Sequence, residues 1–525
     1  MKLIHNARIY TLASALPVAS ALVIDSGRII ALGGQELVAE SGYASREDIG
    51  GRVILPGLTD AHIHLQEYAR SLQAVNCEGQ SRREILNRLA GRLTEMVPGE
   101  WLRGHGWNQN DWNGQWPGAA DLDAVAPRNP VYLTAKSLHA AWVNHAALQL
   151  AGITASTPDP TNGSIQRDAH GTPTGILFEE AIKLIERVIP EPGSELLAKD
   201  FQQLIPKLWR MGITGVHDFD GRACFMALQL LQARGQLCLR VLKSIPYELI
   251  SQAINLGLRS GFGDDFLRIG SVKLFADGAL GTHTAAMFAP YVDEPQNRGI
   301  LLLNAENILD YGRQAASVGL SLAVHAIGDR AVHEVLDGFA RLRNYEREYA
   351  LPALRHRVEH VQTILPEDSG RLGGLGLIAS MQPVHAPSDM LMADRLLGER
   401  AALSYSWRTQ LEHGARLAFG SDAPVESANP FHGIHAAVTR CRADGSPGPD
   451  GWFPQQRLPV GAALAGFTSG PAYAAGMEDR LGQVSAGFLA DLIVLETDPF
   501  TCSPADLYAI LPVATMVAGN WVWQS

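Results

Sequence analysis

Residues 60–65 read DAHIHL and follow the apolar run RVILPGLT at 52–59. In a β-strand successive side chains point to opposite faces, so His62 and His64 share one face while Ile63 packs on the other. Two imidazoles at this spacing can hold one metal ion. The chain has 17 histidines in 525 residues, so this pattern also arises by chance. The stretch therefore needs partners elsewhere in the sequence before it indicates a metal site.

The rest of the chain alternates short β-like runs with helical stretches. Most of the β-like runs are continuously apolar, as strands buried on both faces are. They are RVILPGLTDAHIH (52–64), ITGVHDF (213–219), CLRVLKSI (238–245), FLRIGSVKLF (266–275), LSLAVHAI (320–327), RHRVEH (355–360), LIASMQP (377–383) and ARLAFGSD (415–422). Helical periodicity separates several of them, for example at 306–319 and 329–345. Eight such units predict an α/β chain folded as a (β/α)₈ barrel.

The two ends of the chain carry short strand-like runs that could not fold alone. Residues 1–51 have turn signals at 25–27 and 33–34, and residues 471–525 hold two more apolar runs split by turns. We expect both ends to pair into one β-sandwich beside a barrel domain at 52–470. The apolar stretch 11–24 is interpreted as part of a β-hairpin rather than a signal peptide, because a proline interrupts it.

The gap between the first and second runs is too long for one helix and predicts an insertion at about 66–205. It holds five of the ten tryptophans: Trp101, Trp107, Trp112, Trp116 and Trp142. Tryptophan has a large apolar face and one N–H donor, which suits the wall of a substrate pocket. Trp107 and Trp112 lie in a Gly- and Asn-rich stretch typical of a loop, so they are candidate substrate contacts. Packing within the insertion's own core is the open alternative.

Residues with metal-binding chemistry recur at the carboxyl ends of the runs, where barrel enzymes hold their active sites. His62 and His64 end the first run. Four more candidates end the fourth, fifth, sixth and eighth runs: Lys273, His325, His360 and Asp422. Each alone has an ordinary explanation, such as a hydrogen-bonded core histidine or a helix-capping aspartate. Agreement among five strand ends favours a metal centre.

In these segments the chain resembles the amidohydrolase superfamily, in its amidohydrolase-3 branch. The matching motifs are PGLTDAHIHL, GITGVHD, VKLFADGALGTHTA, HAIGDRAVH, RHRVEHVQ, ASMQPVH, FGSDAPVE and GFLADLIVL, spread between residues 56 and 495. The resemblance implies a distorted (β/α)₈ barrel, a β-sandwich from both termini and a divalent-metal centre. It also implies a metal-dependent amidohydrolase that cleaves a carbon–nitrogen bond outside peptides, such as that of an N-acyl or N-formyl amine.

The resemblance assigns roles to the candidate ligands. His62, His64 and Asp422 would hold one metal, His325 and His360 a second, and Lys273 would bridge both as a carbamate. Imidazole and carboxylate ligands suit zinc, with iron or manganese as alternatives. A water bridging two cations ionises near neutral pH, and Asp422 would then act as general base and acid.

Weaker candidates surround these residues. His139 in the insertion, Asp277 with Gly278, and His385 are predicted to contact substrate. His217 with Asp218 is expected to make structural hydrogen bonds. Glu359 is expected to be structural too, since strand alternation would turn it away from the face of its neighbour.

Composition limits the partners. A net charge of −11 and a pI near 5.9 disfavour nucleic acid and anionic membranes, which leaves a small-molecule substrate. Five scattered cysteines without a Cys-x-x-Cys motif are typical of a reduced, cytoplasmic protein. The sequence leaves a homo-oligomer open. 

Two other functions stay open on the same barrel. One is a deaminase of a heterocyclic ring amine, and the other is a non-catalytic regulatory or binding protein. Lys273 favours the hydrolase over the deaminase, because single-metal deaminases of the superfamily generally lack the bridging lysine. The intact set of six ligands argues against lost chemistry.

Overall fold

The computed structural model describes residues 1–525 apart from 41, 80, 113–114, 136–139, 161–162 and 191–192, and leaves aside the side chains of 110–111. The chain divides into two compact units. One consists of 1–68 with 194–525, and the other of 69–193. Among the described residues, no helix has both the length and the apolar character needed to cross a membrane.

The larger unit contains a parallel sheet of eight strands that follow one another in chain order. They are Leu58–Ile63, Ile213–Asp218, Arg240–Pro246, Leu267–Phe275, Leu322–Ala326, Arg357–His360, Ile378–Met381 and Arg416–Phe419. Backbone hydrogen bonds join the end of the eighth strand to the end of the first: Asp422 N–H donates to His62 O at 2.7 Å, and His64 N–H donates to Ala423 O at 3.0 Å. The predicted (β/α)₈ class is therefore confirmed, and each strand overlaps the run predicted for it.

The first predicted run holds two strands rather than one. Val53–Pro56 lies in a separate sheet, and the barrel strand starts at Leu58. Gly57 joins them where there is no room for a side chain, because a Cβ there would lie 2.4 Å from the hydroxyl oxygen of Thr214. An apolar run cannot show by itself that the chain changes sheets.

Helices separate and follow the barrel strands. Those of the larger unit that lie after the first barrel strand are Ser194–Arg210, Arg222–Ala233, Ile250–Asn255, Ala305–Ala316, Asp329–Glu348, Arg371–Gly374, His385–Leu397, Trp407–Glu412, Pro430–Thr439, Val460–Gly466 and Ser469–Ala474. Leu65–Gln73 leads out of the first strand. Ala305–Ala316 and Asp329–Glu348 coincide with the two helical patterns of the sequence. Their buried residues, Ile308 and Phe339 among them, join the barrel core.

Strands from both chain ends form two further sheets. The six-stranded sheet runs in the order Asn520–Gln524, Ala514–Val517, Leu492–Leu495, Val53–Pro56, Arg8–Tyr10, Val18–Ala19, and the four-stranded sheet in the order Arg28–Gly33, Ala21–Asp25, Lys2–His5, Ser45–Asp48. Val53–Pro56 pairs with the N-terminal Arg8–Tyr10 on one side and the C-terminal Leu492–Leu495 on the other. The expected β-sandwich from both termini is confirmed, since Ile4 and Leu22 of the four-stranded sheet share one hydrophobic core with Ile54 and Leu492 of the six-stranded sheet.

The smaller unit, 69–193, has its own six-stranded sheet. The order is Gly163–Arg167, Pro173–Glu179, Ala140–Val143, Val131–Ala135, Leu102–Trp107, Val75–Asn76, and its helices are Arg82–Leu93, Ala119–Asp123, His145–Leu150 and Lys183–Glu186. The unit is shorter than the 66–205 expected from the sequence, since the helix Ser194–Arg210 belongs with the barrel.

Four of the five tryptophans of the smaller unit have their rings close together: Trp107, Trp112, Trp116 and Trp142. Trp107 and Trp142 have no exposed surface, and Trp112 is 7% exposed. The ring centroids of Trp107 and Trp112 lie 6.1 Å apart, and the Trp107 N–H donates to Leu133 O at 2.9 Å. Both candidate substrate contacts thus belong to this unit's hydrophobic core, which is the alternative that the sequence left open.

Candidate metal centre

The first barrel strand presents His62 and His64 to the same end of the barrel, each with one ring nitrogen already engaged. His62 Nδ1–H donates to Glu359 Oε2 at 2.6 Å, and His64 Nδ1–H donates to Asp220 Oδ1 at 2.9 Å. The Nε2 atoms of both rings face Asp422 Oδ1, at 3.5 and 3.4 Å. A carboxylate on one nitrogen fixes the tautomer that leaves the other nitrogen free for a metal.

His360 and His325 show the same division of their ring nitrogens. His360 Nδ1–H donates to Gln382 Oε1 at 2.8 Å, which leaves Nε2 free. His325 Nε2–H donates to the carbonyl of Gly278 at 3.0 Å, which leaves Nδ1 free. The ring centroids of the two histidines lie 4.5 Å apart, and ligand atoms of His62, His360 and Asp422 all lie within 4.8 Å of one another. The donor set fits a metal site of imidazole and carboxylate ligands.

Burial sets the protonation of most of these groups. Burial, assisted by the charge of Lys273, lowers the pKa of His62 and of His325 to about 4, so both rings are neutral at pH 7. Burial would also raise the pKa of Asp422, but His62 and the hydrogen bond from His64 hold it well below its ordinary value. Neutral imidazoles and an ionised carboxylate are the forms that bind metal.

Lys273 is buried among these ligands and lacks the usual partner of a buried ammonium. Burial lowers its pKa to about 8. Its Nζ lies 4.5 Å from the ring centroid of Phe219, and within the described part of the chain no hydrogen bond or ion pair involves that atom. An unpaired buried cation is costly, so this lysine loses its proton more readily than an ordinary lysine and is suited to modification.

Glu359 differs from its prediction. It was expected to point away from the face of His360 because side chains alternate along a strand. His360 has φ of +72° and Val361 of +44°, so the alternation ends there and both Glu359 and His360 turn inward. Arg357 donates two hydrogen bonds to the Glu359 carboxylate. It also contacts His217 Nδ1 at 2.9 Å, in agreement with the structural role expected of His217.

A second acidic cluster lies beside His64. Asp218, Asp220 and Cys224 could hold a metal by their spacing, but the Lys243 ammonium lies 2.9 Å from Asp218 Oδ2. The Lys243 ammonium thus already supplies this cluster with the positive charge that a metal ion would bring. Asp218 also accepts the backbone N–H of Leu65, so it is structural, as expected. Sequence reasoning missed Asp220. Its only signal in the sequence is its position two residues after the end of the second barrel strand, Ile213–Asp218.

The weaker candidates fall in different places. The Asp277 carboxylate accepts the backbone N–H groups of Ala286, Ile327 and Gly328 at 2.7–3.0 Å, so it anchors the loop after the fourth strand. Gly278 orients His325 through its carbonyl. His385 stacks 6.5 Å from the His360 ring, and its buried Nε2 has no partner among the described residues. His139 lies outside the described residues.

An eight-stranded barrel with this ligand set at its carboxyl end defines a metal-dependent hydrolase. The chain matches the model of the amidohydrolase family over residues 47–523 and belongs to that family. It is 32% identical to the putative amidohydrolase YtcJ of Bacillus subtilis, with 99% of each chain covered. It is 27% identical to the N-substituted formamide deformylase of Arthrobacter pascens, over 98% of this chain and 97% of the relative.

Solved structures agree with this assignment. An uncharacterized metal-dependent hydrolase from Pyrococcus furiosus superposes with a TM-score of 0.80 and 30% identity, and covers 95% of this chain and 100% of its own. The chain is thus an enzyme of the amidohydrolase family whose chemistry depends on a metal cofactor.

Proposed function

We propose that the enzyme hydrolyses the carbon–nitrogen bond of a small non-peptide amide, such as an N-acyl or N-formyl amine, at a centre of two metal ions. The observation that carries this proposal is the convergence of four histidines, each with one ring nitrogen held by a neighbouring oxygen, on Asp422 and Lys273. The 27% identity to an N-substituted formamide deformylase supports the choice of an amide.

In this proposal His62, His64 and Asp422 hold one ion, His325 and His360 hold the other, and Lys273 binds both. Lys273 would do so as a carbamate: its neutral amine attacks carbon dioxide, a nitrogen–carbon bond forms, and the nitrogen loses a proton to solvent. A pKa of about 8 leaves part of the lysine neutral at physiological pH, as this step needs. Zinc suits these ligands best, and iron or manganese are the alternatives.

The bound ions would supply an acidified water and a polarised substrate carbonyl. The protein's own part falls to Asp422, which is ionised and so able to accept a proton from the attacking water. The same carboxylic acid then returns that proton to the leaving nitrogen, which departs as a neutral amine. His385, with its unpartnered Nε2 beside His360, is our candidate donor to the substrate carbonyl.

The test combines metal content with a substrate panel. Protein prepared with zinc, iron(II) or manganese and bicarbonate should bind about two equivalents of one of them and release amines from N-formyl or N-acyl amines. Lys273→Ala should bind fewer ions, whereas Lys207→Ala, on an exposed helix face, should not differ from wild type. A metal-loaded enzyme that releases ammonia from ring amines but leaves amides intact would show a deaminase instead.

A further inference from the structure

Phe275 stands on the same strand face as Lys273, two residues closer to the open end of the barrel. Lys273 Nζ lies 5.1 Å from the Phe275 ring centroid, and the Phe275 ring lies 5.4 Å from that of His325. Leu274, between them, is fully buried on the opposite face. The ring of Phe275 therefore belongs to the interior of the barrel mouth and not to its outer wall.

The Phe275 ring is nevertheless 42% exposed. Single exposed apolar residues are ordinary on an outer surface. Here the exposed ring is on the inner face, directly beside the groups proposed to hold the metals. Phe219, which lies 4.2 Å from the His62 ring and 4.5 Å from Lys273 Nζ, is by contrast only 6% exposed. Phe219 thus packs against the site as part of the buried interior, whereas Phe275 offers an exposed apolar surface to an entering substrate.

We infer that Phe275 selects substrates with an apolar substituent next to the scissile amide, because that substituent would cover its ring. The inference rests on the proposed function for the identity of the reacting group. Burial of apolar surface is favourable in proportion to the area covered, so a hydroxylated substituent of equal size would gain less. The substrate class is thus an amide with an alkyl or aryl group on its acyl carbon or its nitrogen.

The experiment uses pairs of ligands matched in size. Calorimetry of the metal-loaded enzyme gives the binding of N-butylurea and N-(3-hydroxypropyl)urea, under conditions in which neither ammonia nor amine is released from them. The matching formamides, N-butylformamide and N-(3-hydroxypropyl)formamide, give kcat/KM. Pentanamide and 4-hydroxybutanamide test a substituent on the acyl side in the same way. The variants are Phe275→Ala, Phe275→Leu and, as a control, Phe262→Ala, which removes a 63%-exposed ring beside the opposite end of the same strand.

Wild type should prefer the butyl ligands, and Phe275→Ala should reduce that preference about tenfold at unchanged metal content. Phe275→Leu should keep most of it, and Phe262→Ala all of it. An unchanged preference in Phe275→Ala, or an equal loss for both members of a pair, would overturn the inference while the amide hydrolase stands. If wild type hydrolyses no amide, the proposed function fails, and the urea binding still decides whether Phe275 selects apolar groups.

Discussion

His62 and His64 are separated by one residue and face the same carboxylate, yet their surroundings are opposite. His62 is 1% exposed and hydrogen-bonds to a carboxylate that Arg357 neutralises. The His64 side chain is 30% exposed and hydrogen-bonds to Asp220, to which no arginine is bound among the described residues. Burial keeps the pKa of His62 near 4. Burial would also lower that of His64, but Asp220 and Asp422 raise it to about 10.

The comparison shows that the same residue type in one motif can be prepared for metal in two ways. On the His62 side Arg357 neutralises the charge of Glu359, so the His62 ring stays neutral without any metal. On the His64 side the neighbouring cation, Lys243, is paired with Asp218, and Asp220 helps to hold a proton on the ring until a metal ion replaces it. Asp422 lies between the two sides, at nearly equal distances from both Nε2 atoms.

The largest expected effect is the loss of the shared carboxylate. Asp422→Asn cannot relay a proton, so kcat should fall by about 10²–10⁴-fold on any amide that wild type hydrolyses. Steady-state kinetics at matched metal content measures this. Asp479→Asn, at a side chain that is 78% exposed, is the control. Near-normal turnover by Asp422→Asn would remove this residue from the mechanism.

The next largest effect separates the two sides. Glu359→Gln and Asp220→Asn should each weaken metal binding by about 10–100-fold, as the loss of a histidine's carboxylate partner commonly does. Only Glu359→Gln also leaves a buried arginine unpaired, and this should cost about 3–5 kcal/mol of unfolding free energy. Urea unfolding of the metal-free variants tests the difference. Equal stability losses would contradict the contrast between the two sides.

Local sequence patterns predict the barrel strands and most of the candidate metal ligands. They do not predict the carboxylates that hold the two histidines. Period-two alternation correctly places His62 and His64 on one face, and continuous apolar runs identify the eight strands. The same alternation fails at Glu359, because the left-handed backbone of His360 is not visible in the string RVEH. Asp220 is equally hidden, since it meets His64 only through pairing of strands that are 156 residues apart.

The tryptophans show a different limit. Trp107 and Trp112 lie in a stretch whose glycines and asparagines indicate a loop, but the rings themselves pack inward. The glycines and asparagines of a stretch indicate a flexible backbone, but they do not indicate the direction in which a large side chain points. Exposed Phe275 is the opposite case, because nothing in the apolar run SVKLF distinguishes it from the buried Leu274.

The third prediction concerns protons. At about pH 8 in carbon-dioxide-free buffer, His64 carries a proton and His62 does not, because their pKa values lie near 10 and near 4. Metal requires neutral imidazole, so binding to wild type should release about one proton more than binding to His64→Asn at the same pH. Calorimetry in buffers of different ionisation enthalpy counts the protons released by each protein. Equal release by the two proteins would place that proton on another group.

The smallest expected effect, on stability, concerns only the hydrogen bonds around His62. Ser380 accepts a hydrogen bond from Arg357 Nη2 at 2.6 Å, and that nitrogen also donates to Glu359 and to the carbonyl of Ala61. Ser380→Ala removes one of these bonds without leaving a charge unpaired, so it should cost about 1 kcal/mol of stability. Metal affinity should stay within about twofold of wild type, because Glu359 keeps both of its bonds from Arg357 and still orients His62. Thermal unfolding and metal titration of the same preparation measure the two quantities. A loss of metal affinity comparable to that of Glu359→Gln would mean that the position of Arg357, and not the carboxylate it neutralises, sets the state of His62.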